Sequence, residues 1–144
     1  MIKRELYMSR IRPFIGTDLI KVITGIRRCG KSVMLKLIQQ ELTESGISPK
    51  QFISINFEDM NYSHLQTAQA LHDEILAKAS EMEGKVYLFF DEIQEVKDWE
   101  KCINSFRVSL DCDIYITGSN ANLLSSELAT GTMSRKRTHK IDKF

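Results

Sequence analysis

Residues 25–32 read Gly25-Ile26-Arg27-Arg28-Cys29-Gly30-Lys31-Ser32. The spacing is G-x-x-x-x-G-K-[ST], the pattern of a phosphate-binding P-loop. Such a loop leaves few folds open. It must leave a strand and enter a helix, so that the loop amides and the first helical N–H groups converge on one anion. The flanks meet that demand. Leu19–Thr24 is apolar and β-branched, and residues 33–42 carry apolar side chains at helical spacing. Gly25 and Gly30 let the backbone approach a phosphate chain closely. Lys31 is then placed for the β- and γ-phosphates and Ser32 for Mg²⁺, with Arg27, Arg28, Cys29 and Val33 completing the cradle. The plainer alternative is a glycine turn capping an ordinary helix.

The rest of the chain alternates strand and helix. Strands are expected at 19–24, 52–57, 86–90 and 113–117. Helices are expected at 3–15, 31–45, from a Ser63/Gln66 capping box onward, and from Asp98 onward, with a short one over 123–128. The second of these helices turns Met34, Leu37, Ile38 and Leu42 inward, with Gly46 as its C-cap and Pro49 beyond. Alternation of this kind predicts an α/β fold with a parallel sheet and right-handed crossovers. The third strand, Val86-Tyr87-Leu88-Phe89-Phe90, is apolar on both faces, as a central strand covered by helices should be.

That strand runs into Asp91-Glu92. A carboxylate at the end of a buried strand is placed to hold the Mg²⁺ shell, and its neighbour to polarise an attacking water. One acid for metal and one for water suits ATP hydrolysis better than a kinase, whose acceptor is a substrate hydroxyl. The alternative is an acidic strand end that caps a turn. The fourth strand ends in Thr117-Gly118-Ser119-Asn120, where Ser119 first and Asn120 second offer a hydrogen bond to the γ-phosphate or the water. Gly-Ser-Asn is also a common turn. Asn56 is a neighbour for Glu92, or a turn former. Arg27 or Arg28 touches phosphate or an adjacent subunit, the other facing solvent. In the lead-in, Tyr7, Arg12 or Phe14 lies against a nucleotide base, or else the segment is core packing and surface charge.

Composition narrows the classes. The 144 residues suffice for one domain with a substantial core, and no run approaches a membrane span. The N-terminus lacks an apolar leader, and three cysteines without metal spacing fit a reducing cytoplasm. Net charge is +1, but residues 133–144 carry +4 and the remainder −3, so the body gives no argument for nucleic-acid binding.

Taken together, RELY at 4–7, IKVITGIRRCGKS at 20–32, ISINFED at 53–59, FFDEIQEVKDWEK at 89–101 and CDIYITGSNANLLSSELAT at 112–130 resemble the AAA-type, archaeal-ATPase-like P-loop proteins. The resemblance covers about residues 3–130. It implies a P-loop NTPase three-layer sandwich, with Walker A at Gly25–Ser32, Walker B at Asp91-Glu92 and sensor 1 near Ser119. It also implies the strand order 5-1-4-3-2 and binding of Mg·ATP.

After Thr130 the chain departs from that family, which continues with a Ser-Gly-Arg-aromatic segment, a fifth strand and a second domain. Residues 131–144 hold only Met133, Ile141 and Phe144 as large apolar residues. The expectation is therefore an incomplete ATP-binding domain at 1–130, a sheet of order 1-4-3-2 without its fifth strand, and a basic, disordered tail at 131–144. The chain then reads as a truncation or reading-frame product. The P-loop strand becomes an exposed edge open to self-association or a partner chain, and turnover is low. A nucleotide-dependent interaction module without hydrolysis is the competing reading.

Overall fold

The computed structural model describes residues 2–17, 19–24, 28–118 and 138–141. Among these residues five strands form one parallel sheet: β1 (Ile20–Thr24), β2 (Phe52–Asn56), β3 (Val86–Asp91), β4 (Cys112–Gly118) and β5 (Thr138–Ile141). Among the described residues four α-helices accompany them: α1 (Ile2–Ile11), α2 (Arg28–Glu44), α3 (Ala68–Ala79) and α4 (Trp99–Ser109). The strand order is β2-β3-β4-β1-β5. The α/β class and the 1-4-3-2 order are as expected.

The sheet has two apolar faces because its strands alternate with period two. Leu88, Phe90, Ile114 and Ile116 pack with Leu71, Ile75, Ile103 and Phe106 of α3 and α4. Tyr87, Phe89 and Tyr115 pack with Met8, Ile11, Met34 and Ile38 of α1 and α2. The crossover from β1 to β2 runs one way along the sheet, and the steps β2-β3-β4 run back. Right-handed connections then require α2 on the opposite face from α3 and α4. All six residues of β3 are buried, which explains its continuous apolar run.

Local signals set the element ends. Gly46 terminates α2 at φ 106°, and Ile47 N donates to Leu42 O at 3.0 Å. The α3 cap is Thr67, whose hydroxyl accepts from Ala70 N at 3.2 Å, in place of the expected Ser63/Gln66 box. Gln66 is used otherwise, its Nε2 donating to Phe57 O at 3.0 Å, and residues 60–65 form a 3₁₀ turn. In α2, Leu35 is buried and Leu37 only partly so, a rotation of the predicted inward face.

The largest correction concerns the end of the chain. Residues 138–141 form β5, paired in parallel with β1 in the register Ile20↔Thr138 to Ile23↔Ile141. The expectation of no fifth strand, and of a tail throughout 131–144, fails at these residues. A strand bordering one side of a sheet does not need an apolar sequence, and lysine suits an edge. The backbone groups of β1 supply the template. The P-loop strand is thus flanked on both sides, and the ground for self-association at its bare edge is gone. The expected helix over 123–128 lies outside the described residues.

Candidate functional site

The carboxyl ends of β1, β3 and β4 lie side by side, which is where ligands bind in open α/β sheets. The first turn of α2 points at this end, and four of the predicted site residues meet there. Lys31 is fully buried, with Asp91 and Glu92 at 7% and 1% exposure. Ser32 is half-buried beside them.

Asp91 terminates β3. Its Oδ2 accepts from the Ser32 hydroxyl of α2, and its Oδ1 accepts from Thr117 Oγ1 at 2.5 Å. The Thr117 hydroxyl in turn accepts from Glu92 N at 2.9 Å. One hydroxyl at the end of β4 therefore fixes the two consecutive acids of β3. Glu92 adopts a left-handed backbone, φ 58°, a conformation that non-glycine residues rarely take outside constrained sites. Its N–H contact with Thr117 helps hold it there. Lys31 Nζ donates to Gly118 O at 2.9 Å and stands 3.5 Å from Glu92 Oε2. Gln94 Nε2 donates to the other oxygen, Glu92 Oε1, at 3.1 Å.

A buried ammonium needs compensating partners, since an isolated charge removed from water is heavily penalised. Lys31 has a carbonyl and a carboxylate. The helix N-terminus brings a second source of positive potential to the same place. Hydroxyl, carboxylate and ammonium groups thus converge on one small region at the sheet's carboxyl end.

Other expected residues fall elsewhere. Gly25, Arg27, Ser119 and Asn120 lie outside the described residues. Arg28 and Cys29 open α2 and Gly30 follows them half-buried; the side chains of Arg28 and Cys29 are outside the description. Val33 is 41% exposed on α2. Asn56 lies opposite Asp91 in the sheet, but its Oδ1 accepts from Glu58 N at 3.0 Å, the turn-forming alternative. Arg12 is ion-paired to Glu5 and Glu41, at 2.6 Å each, rather than presented to a nucleotide base. This clamp ties the end of α1 to α2, and both carboxylates hold the Arg12 guanidinium firmly protonated.

Two contributors were not assigned from sequence. In the sequence Thr117 is one of several polar strand-end residues, yet in the fold it bridges both acids. Gln94 gave a fainter signal, a polar residue two positions after Glu92 and before a buried valine.

Comparison with known proteins adds the family. The sequence profile of an AAA domain matches residues 17–144. An uncharacterized protein of Haemophilus influenzae is 46% identical over 130 residues, which is 90% of this chain and 32% of that protein. An uncharacterized protein of Methanocaldococcus jannaschii is 38% identical over 117 residues, 81% of this chain and 24% of its own length. The chain thus spans a third or less of these curated relatives. Among the described residues, no helix is long and apolar enough to cross a membrane.

Proposed function

Because this chain belongs to the AAA domain family, an ATPase-like nucleotide-binding class, we propose that it binds Mg·ATP at the carboxyl ends of β1, β3 and β4. We propose further that it hydrolyses the nucleotide to ADP and phosphate as one part of a larger ATPase. The observation that carries this reading is the pair of linked contacts Ser32–Asp91–Thr117 and Lys31–Glu92. They join P-loop, metal-type acid and base-type acid in one place.

Lys31 exchanges Glu92 for the β- and γ-phosphate oxygens when nucleotide enters. The N–H groups of the glycine loop and of the α2 N-terminus hold the phosphate chain. Ser32 and Asp91 are hard oxygen donors already in contact, which suits Mg²⁺, a cation that takes few protein ligands and keeps several waters. When bound, it supplies neutralisation of phosphate charge. Glu92, parted from Lys31, accepts a proton from the attacking water. The water oxygen bonds to the γ-phosphorus, the bond to the bridging oxygen breaks, and its electron pair leaves on ADP. The proton passes from Glu92 to the released phosphate. Ser119 and Asn120, following Gly118, are proposed as donors to the γ-phosphate.

The test is binding of a fluorescent ATP analogue alongside phosphate release. Glu92→Gln should keep nucleotide affinity within about threefold while phosphate release falls at least 100-fold. A second reading, a nucleotide-dependent interaction module without turnover, draws support from the Lys31–Glu92 contact, which engages the base in this arrangement. Nucleotide binding with phosphate release at background, unchanged by Glu92→Gln, selects that second reading.

A further inference from the structure

Gln94 belongs to the 3₁₀ turn Ile93–Glu95, two residues past Glu92. Its contact with Glu92 Oε1, at 3.1 Å, faces the Lys31 contact on Oε2, at 3.5 Å. The carboxylate is held between an amide and an ammonium. An ionised carboxylate only accepts hydrogen bonds, so the amide must turn its Nε2 toward Glu92. That choice sends Oε1 to the other side, where it is buried without a hydrogen-bond partner among the described residues. Buried amide oxygens are seldom left unpaired, and such a group calls for a donor. The two amide heteroatoms share one carbon, so Oε1 stays close to the Glu92 carboxylate that Nε2 touches. The Glu92 backbone is already fixed by its N–H contact to Thr117. Its side-chain partners therefore decide where the carboxylate points.

We propose that Gln94 is a water-positioning residue. Its Nε2 keeps Glu92 oriented once Lys31 has turned to the phosphates, and its Oε1 accepts a hydrogen bond from the same water that Glu92 deprotonates. This rests on the hydrolytic reading above. Gln94 gains and loses no proton: the water proton goes to Glu92, the water oxygen to phosphorus, and the electron pair of the broken bond to ADP. Only the geometry of attack depends on the amide.

The experiment measures steady-state phosphate release and nucleotide affinity of the full chain in Gln94→Leu and Gln94→Glu. The first removes both amide groups. The second keeps the shape but cannot donate to Glu92 when ionised. Either variant should lower kcat at least tenfold, with KM and nucleotide affinity within about twofold of wild type. Combined with Glu92→Gln, Gln94→Leu should add no further loss, because the two act as one unit. Circular dichroism scores each variant per folded chain, so a failure of one to fold leaves the other decisive. A Gln94→Leu chain with wild-type kcat overturns the positioning role while hydrolysis stands, as does a loss that multiplies with Glu92→Gln. A parallel fall in nucleotide affinity and melting temperature also overturns it, in favour of a structural role. Wild-type chain that binds ATP without releasing phosphate overturns the hydrolytic reading and this role together.

Discussion

The sheet carries a buried lysine and a buried carboxylate at each end, and the two ends are built differently. At the amino end, Lys21 of β1 and Asp113 of β4 are both fully buried and ion-paired. Lys21 Nζ also donates to Thr17 O at 3.0 Å and Leu19 O at 2.7 Å, so three ammonium donors meet three oxygens. Its charge lies 5.0 Å from the centre of the Tyr115 ring. Asp113 accepts from Tyr115 OH at 2.6 Å and Gly16 N at 3.0 Å. That network closes on itself. At the carboxyl end, Lys31 and Glu92 are equally buried, but their contact is 3.5 Å long and Gln94 Oε1 beside them has no partner among the described residues. Residue types and burial are alike, so neither marks function. The difference lies in the contacts: the amino-end ammonium is saturated by three oxygens, while the carboxyl-end pair is spaced at 3.5 Å beside an amide oxygen that has no partner among the described residues.

The largest expected effect falls on the saturated end. Asp113→Ala leaves Lys21 buried without its counter-charge and strips Tyr115 and Gly16 of an acceptor. Breaking one side of a buried pair costs about 3–5 kcal/mol. Urea denaturation should read that loss, while nucleotide affinity per folded molecule stays within about twofold. A parallel fall in affinity would break the comparison, because it would make the amino end part of the binding machinery.

Lys31→Ala is the mirror experiment. Affinity for ATP should fall at least 100-fold, equivalent to about 2.8 kcal/mol. The loss of stability should be smaller than for Asp113→Ala. If Lys31→Ala instead destabilises the chain as severely and leaves affinity intact, both ends are structural.

Much of this division was readable in the sequence. Gly25–Ser32 and Asp91-Glu92 were legible because phosphate and metal chemistry demands particular residues at fixed spacing beside a strand. Parallel strands buried on both faces, such as Val86–Asp91, announce themselves by unbroken apolarity. What escaped depends on contacts between distant segments. Thr117 is one more polar residue at a strand end until the fold places its hydroxyl between Asp91 and Glu92. Lys21 lies within a stretch that reads simply as an apolar, β-branched strand, and its role is visible only once Asp113 arrives from 92 positions away. β5 escaped for a further reason: Thr138-His139-Lys140-Ile141 has no pattern of its own, and its pairing is prescribed by the open side of β1. Thr67 outcompeted the Ser63/Gln66 capping box because residues 60–65 took a 3₁₀ turn, delaying the helix by one turn.

Thr117→Val tests whether the carboxyl end tolerates losing its bridge. The substitution keeps the shape and removes a donor to Asp91 and an acceptor for Glu92 N. One buried group left unsatisfied costs about 1–3 kcal/mol. Because the hydroxyl organises both acids, phosphate release should fall further than nucleotide affinity. An unchanged ratio of the two would make Thr117 a purely structural bond, like those of the amino end.

The smallest effect distinguishes the ends by pH. Burial pushes the Cys112 thiol up to about 11, with Asp113 and Asp111 adding to the rise. Burial likewise pushes Cys102 up to about 12 and, with Asp113, raises Tyr115. A thiol in the unfolded chain loses its proton near roughly 8.5. Above that pH the folded chain retains protons that the unfolded chain has released, so stability falls as pH rises. The contribution of Cys112 is therefore fully present below about 8.5 and is lost progressively toward pH 11. The urea midpoint should decline across that window, and Cys112→Ser should flatten the decline. Nucleotide affinity per folded molecule at pH 9–10 should be the same in Cys112→Ser as in wild type, because Cys112 begins β4 at the end remote from Lys31. A substitution that alters both quantities would show that alkaline opening of the amino end is transmitted along β4 to Thr117.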